Sequence, residues 1–174
     1  GNLTAAVGMS LAIIGTIVLY EHNGQHLHNV GLIIAALAIG TVIGWIMAMR
    51  VQMTAMPQMV SFFNGMGGAC AALISVLEYK AAGSATLSMG HSLATMAGLI
   101  IGSVSFSGSI IAFLKLEDRL GDIRFGGQQF VNNALLLATL GMGGAMVMHT
   151  VGGFDTMLVL TAMALVFGVL FVLP

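Results

Sequence analysis

The chain has 174 residues, with 5 Lys+Arg against 6 Asp+Glu and a formal net charge of −1. Charged residues make up 6% of it, where a soluble domain carries about 25%, while apolar residues reach 58% and mean hydropathy is +1.03. So few charges cannot cover a soluble enzyme, no basic patch exists to hold nucleic acid, and the chain is too apolar to be disordered. An integral membrane protein is the class that remains.

A helix needs about 20 apolar residues to cross the hydrocarbon core, and six stretches have that length. They lack the alternation of a barrel wall. The first covers 3–20 and ends at Glu21-His22-Asn23-Gly24. In the loop beyond it, His22, His26 and His28 could offer three imidazoles to a metal. Nothing there orients them and Gly24 marks a turn, so a solvated loop is expected, with no metal. The second span covers 29–49, carries Gly40 and Gly44 at the spacing of a close helix contact, and stops at Arg50. The third covers 58–77 and follows Pro57, which suits a first helical turn because its missing N–H is not needed there. Ser61, Asn64, Gly65, Gly68, Ala72 and Ser75 share one of its faces. Asn64 is the carboxamide set deep in a span, where its polar groups need protein or water partners. By itself it reads either as interhelical hydrogen bonding or as a polar link in a pathway. The single cysteine, Cys70, is expected in the packed interior.

A break over 78–90 leads to the fourth span, 92–114, which His91 opens. Gly98, Gly102, Ser105 and Ser109 line one face of it, and Ser103 and Ser107 a neighbouring one. The next break, 115–129, holds Lys115, Glu117, Asp118, Arg119, Asp122 and Arg124. The fifth span, 132–149, closes at His149, and the sixth, 155–173, runs almost to the end. The expected fold class is therefore an all-α integral membrane protein, a polytopic bundle of six transmembrane helices in a single membrane domain. Gly40, Gly44, Gly65, Gly68, Gly98 and Gly102 are the expected points of close packing. Gly1 at the start and the apolar run into Pro174 read as a piece of a longer polypeptide.

Arg50, Lys115, Arg119 and Arg124 sit in the second and fourth connections, whereas the others carry only Lys80. The positive-inside tendency turns those two connections, and with them both chain ends, toward the cytoplasm. All five histidines then fall on the outer side. Gly-Met-Gly-Gly occurs at 65–68 and 141–144, but inside apolar helices, so neither forms a phosphate-binding loop. No nucleophile, base and orienting acid can be assembled. The segment is expected to hold no catalytic residue, no cofactor and no metal.

Three stretches resemble the membrane domain of the β subunit of proton-translocating NAD(P) transhydrogenase. They are Val51-Gln-Met-Thr-Ala-Met-Pro-Gln-Met-Val60 continuing through Ser61-Phe-Phe-Asn-Gly-Met-Gly-Gly68, then Gly98-Leu-Ile-Ile-Gly-Ser-Val-Ser-Phe-Ser-Gly-Ser-Ile-Ile-Ala-Phe-Leu-Lys-Leu116, and Ala164-Leu-Val-Phe-Gly168 running to Leu173-Pro174. The resemblance implies hydride transfer between NADH and NADP+ coupled to proton movement across a bacterial inner membrane. It places NAD on a partner α subunit and NADP on a cytoplasmic domain following the helices. It implies a dimer of αβ units, and further helices of the subunit outside this chain. Many members carry a histidine, implicated in proton passage, where this chain has Asn64. Asn64 cannot take up a proton, but its amide can hold a water chain. The resemblance thus makes Asn64 the expected pathway residue, with Ser61, Ser105 and Ser109 as polar neighbours. His91, which matches a family histidine at the outer end, is the first candidate for the titrating group, the alternative being that it only tunes the entrance. Arg50, Lys115, Glu117, Asp118, Arg119 and Arg124 are expected to meet the nucleotide domains.

Two other functions fit the composition. A free-standing solute transporter or channel would show broken helices in matched halves, and no such pair is evident. A structural anchor would tolerate replacement of Asn64.

Overall fold

The computed structural model describes residues 2–22, 29–82, 88–149 and 151–174. Six α-helices account for almost all of these: α1 (Asn2–His22), α2 (Val30–Arg50), α3 (Met56–Ala82), α4 (Met89–Leu116), α5 (Gln128–Val147) and α6 (Phe154–Val172). A single 3-10 turn, Met53–Ala55, precedes α3. Helix is the form that satisfies every backbone N–H and C=O within one segment, which hydrocarbon requires. Helices α2 to α6 are long and apolar enough to cross a membrane, and α1 contributes a shorter apolar stretch, Leu3–Leu19.

The chain divides into two units, 1–51 and 52–174. In the first, Ser10, Thr16 and Thr41 turn their hydroxyls back onto the carbonyls of Ala6, Ala12 and Leu37. This lets a hydroxyl sit on an apolar helix with its donor satisfied.

In the second unit α4 is the central helix, packed against α3, α5 and α6. Lipid supplies no hydrophobic push between helices, so close backbone approach has to hold them. Helix α4 is accordingly built of small residues on its inner faces, with Ser92, Gly102, Ser103, Ser107, Gly108 and Ser109 all buried. A Cβ on Gly68 would lie 2.7 Å from the Gly102 carbonyl oxygen and 2.8 Å from the Phe106 nitrogen. A Cβ on Gly168 would strike Ser107 Oγ and lie 2.7 Å from the Val104 carbonyl oxygen. The first contact joins α3 to α4 and the second joins α6 to α4. At the opposite end from the loop 117–127, an apolar core of Met96, Leu99, Met146, Val147, Met157 and Leu160 closes around the buried ring of Tyr79. The Tyr79 hydroxyl accepts the Gly153 N–H at 3.1 Å.

The loop 117–127 wraps the C-terminal end of α6. Ile123 N–H reaches the Leu173 carbonyl at 3.2 Å, and Lys115 Nζ reaches the Pro174 carbonyl at 3.0 Å. The Leu170 carbonyl would ordinarily accept from residue 174, which is proline and has no N–H. The side-chain amides of Gln128 (3.1 Å) and Asn132 (3.2 Å) donate to it instead.

The helix ends differ in places from the apolar spans. Helix α3 runs on to Ala82, beyond the expected limit of 77, and carries Glu78, Tyr79 and Lys80 with it. Each has a partner there: His91 for Glu78, Gly153 for Tyr79 and the Phe154 ring, 5.7 Å away, for Lys80. A helix can continue past the hydrocarbon as long as its polar side chains find company, and hydropathy does not register that. Helix α4 starts at Met89, capped by Ser88 Oγ accepting from His91 N–H at 3.4 Å. Helix α5 ends at Val147, so His149 lies beyond it, at φ 55°. Cys70 is exposed rather than interior, because the inner face of α3 is taken by Gly65, Gly68, Ala72 and Ser75.

Candidate functional site along the α3–α4 seam

Positions 61, 64, 68, 72 and 75 of α3 recur every three or four residues and form one stripe. That stripe meets α4 antiparallel. Asn64 Nδ2 donates to Ser109 Oγ at 2.9 Å and to Ser105 Oγ at 3.2 Å. Ser61 Oγ donates to the Ser109 backbone carbonyl at 2.9 Å. Four expected pathway residues thus form one cluster, with Ser109 buried at its centre. The glycines follow in register. Gly65 faces Ser109 Cβ, Gly68 faces Gly102, Gly102 faces the Ala72 nitrogen, and Gly98 faces Ser75 Oγ.

Asn64 also borders an open groove of about 470 Å³, whose walls include Phe63, Gly67, Ala71, Gly98 and Ile101. Its Oδ1 has no hydrogen-bond partner among the described residues, which leaves an acceptor free for water or a protein donor. The arrangement can orient water through fixed amide and hydroxyl dipoles. It cannot itself take up a proton, because none of the four groups titrates near neutrality.

His91 is not part of this cluster. It lies 14 residues before Ser105 on α4, about 21 Å along the helix axis. Its Nε2 is 2.9 Å from Glu78 Oε1. Gly40 and Gly44 are on α2, where a Cβ on either would meet nothing within 4 Å. Arg50 is the last residue of α2. The side chain of His22, together with His26 and His28, lies outside the described residues. Among the described residues no three His, Cys, Asp or Glu side chains are grouped to hold a metal.

The charged residues of the fourth connection lie together. Lys115 pairs with Asp122 at 2.7 Å, Arg119 with Glu117 at 3.8 Å and Arg124 with Asp122 at 4.0 Å, while Asp118 takes a left-handed turn at φ 53°. The hydrogen bond from Lys115 and its charge, with a smaller contribution from Arg124, hold the Asp122 carboxyl below its usual range.

Sequence reasoning missed Glu78, Tyr79 and Gln58, whose Nε2 donates to the Leu116 carbonyl at 2.9 Å. Glu78 was within reach. It continues the stripe of α3 at the same interval, and only the convention of ending a span at its first charge hid it.

A cluster of one amide and three serines along two close-packed helices, each apolar enough to cross a membrane, defines a polytopic helical membrane protein with a polar seam that opens to a groove at Asn64. The chain belongs to the NAD(P) transhydrogenase beta subunit family, whose model matches residues 1–174. It is similar to two NAD(P) transhydrogenase subunit beta sequences from Rhodospirillum rubrum, each 37% identical over 123 residues. Those matches cover 67% of this chain and 25% of each relative, so they span about a quarter of the relatives' length.

Proposed function

We propose that this chain is the proton-translocating membrane segment of an NAD(P) transhydrogenase, coupling hydride transfer between NADH and NADP+ to proton movement across the membrane. The observation that carries the reading is the cluster of Asn64 with Ser61, Ser105 and Ser109 beside an open groove. Polar groups placed at such depth are expensive unless they serve a path or a partner. Asn64 would order water in the path, and a titrating group elsewhere would carry the charge.

In this reading the segment is one membrane domain of a longer subunit in a bacterial inner membrane, with both ends cytoplasmic. NAD is held by an α subunit and NADP by a further domain of this subunit, in a dimer of αβ units. Arg50, Lys115, Glu117, Asp118, Arg119 and Arg124 meet the nucleotide domains. Coupling requires that nucleotide state favour one of two arrangements of the seam through different contacts with each.

The test is proton flux in liposomes carrying the full complex, with hydride transfer to an NADP+ analogue followed in parallel. Asn64→Ala should leave the complex assembled and hydride transfer measurable while proton flux falls. Equal pumping by Asn64→Ala and parent would end this reading in favour of an anchor.

A further inference from the structure

We infer that Glu78 is a positioning residue for His91, and that the pair forms a proton-exchange group at the end of the α3–α4 seam opposite Asn64. The inference rests on the reading that this seam carries protons.

Both residues lie within helical segments apolar enough to cross a membrane, yet the pair is about half exposed, at 46% for His91 and 49% for Glu78. An exposed ion pair contributes little to stability, so stability alone does not account for a carboxylate held against an imidazole at the facing ends of α3 and α4. His91 is held from three directions. Its N–H is capped by Ser88 Oγ, its carbonyl accepts from Thr95 Oγ1 at 2.9 Å, and its Nε2 meets Glu78 Oε1 at 2.9 Å. A carboxylate accepts and cannot donate, so Glu78 selects the ring form with hydrogen on Nε2. Nδ1 is then the basic nitrogen, and it has no hydrogen-bond partner among the described residues. A proton taken up at Nδ1 creates an imidazolium whose charge the Glu78 carboxylate balances. Release of that proton to water at the exposed ring restores the neutral form.

Between this pair and Asn64 the seam is close-packed, with Tyr79, Met96, Leu99 and the partly buried Val76 in one apolar cluster toward the pair. Ser75, Ala72 and Gly68 of α3 face Gly98 and Gly102 of α4, and the groove bordering Asn64 reaches Ala71 and Gly98. Among the described residues of this unit, the other titratable groups at this end are engaged or apart. The Tyr79 hydroxyl is bonded to Gly153 and Lys80 lies over Phe154. His149 and Asp155, at the adjoining ends of α5 and α6, make no ion pair with either residue.

The experiment compares Glu78→Gln, Glu78→Asp, His91→Gln and the Glu78→Gln/His91→Gln double variant in the full complex in liposomes, with flux read per assembled complex. Glutamine keeps the size and hydrogen-bonding reach of the side chain but loses the charge. Aspartate keeps the charge at a shorter reach. We expect flux to fall on the order of a hundredfold for His91→Gln and about tenfold for Glu78→Gln, as loss of a proton-transfer group and of its support require. Glu78→Asp should recover most of the flux, and Glu78→Gln should have no further effect once His91 is replaced. Parental flux in Glu78→Gln, an equal loss with and without His91, or an Asp variant worse than the Gln variant would overturn the inference. Asn64→Ala measured alongside separates the two levels. If it uncouples while Glu78→Gln does not, only the role of Glu78 falls, and if it pumps like the parent, the underlying reading falls too.

Discussion

Asn64 Nδ2 and Ser109 Oγ lie 2.9 Å apart across the α3–α4 seam, and the backbone carbonyl of the same Ser109 accepts from Ser61. One residue of α4 is therefore gripped twice by α3. The bonds lie among contacts in which backbone nearly touches backbone, so they hold the register of two helices that have little freedom to slide.

Removing one partner should reveal how much of that grip is energetic. Hydrogen bonds between membrane helices contribute about 0.6 kcal/mol on average and up to about 1.7. A double-mutant cycle on Asn64→Ala and Ser109→Ala should give a coupling energy within that range, read from unfolding in mixed micelles. A coupling of zero would mean that the amide serves water and not helix association.

The glycines of α3 should differ sharply from one another. A Cβ on Gly68 meets the backbone of Gly102 and Phe106 below 3 Å, whereas one on Gly67 meets nothing within 4 Å. Backbone cannot rotate away, so Gly68→Ala should destabilise the second unit by about 1–3 kcal/mol. Gly67→Ala should stay within about 0.5 kcal/mol of the parent. Denaturation midpoints of the two variants side by side decide the matter.

The end of α6 supplies a third expectation. Gln128 and Asn132 both donate to the Leu170 carbonyl, which Pro174 cannot serve. Either amide alone keeps that carbonyl bonded, so each alanine variant should be mild. The double variant leaves a carbonyl without protein partner and should lose about 1–3 kcal/mol, more than the sum of the two. Thermal unfolding of the four proteins measures this directly.

Asp122 gives a pH dependence with a definite sign. Its carboxyl is held below the ordinary range, first by the hydrogen bond from Lys115 and then by that residue's charge. The folded protein thus binds this proton less readily than the unfolded chain. The stabilisation is fully present above the unfolded carboxylate value of about 3.9 and disappears as pH falls through the lower folded one. Melting curves between about pH 5 and pH 2 should converge for parent and Asp122→Asn at the acid end and separate, with the parent more stable, at the other.

The sequence by itself determined the class, the helices and the contents of the seam. Charges at 6% left only a membrane protein, and runs of about 20 apolar residues can satisfy their backbone in lipid only as helices. The interval of three or four residues set Ser61, Asn64 and Gly68 on one face, and Gly98, Gly102, Ser105 and Ser109 on another, because helical periodicity is local.

Which faces meet is not local. Only the tertiary structure set Asn64 against Ser109, separated His91 from them by some 21 Å along α4, and carried α3 far enough for Glu78 to reach His91. Hydropathy ends a helix at its first charge, whereas α3 continues through Glu78, Tyr79 and Lys80, each of which has a partner. Gly68 and Gly168 look alike in the sequence, yet one is filled by the backbone of α4 meeting α3 and the other by the same helix meeting α6. That assignment depends on close packing between segments distant in the chain, which periodicity alone does not encode.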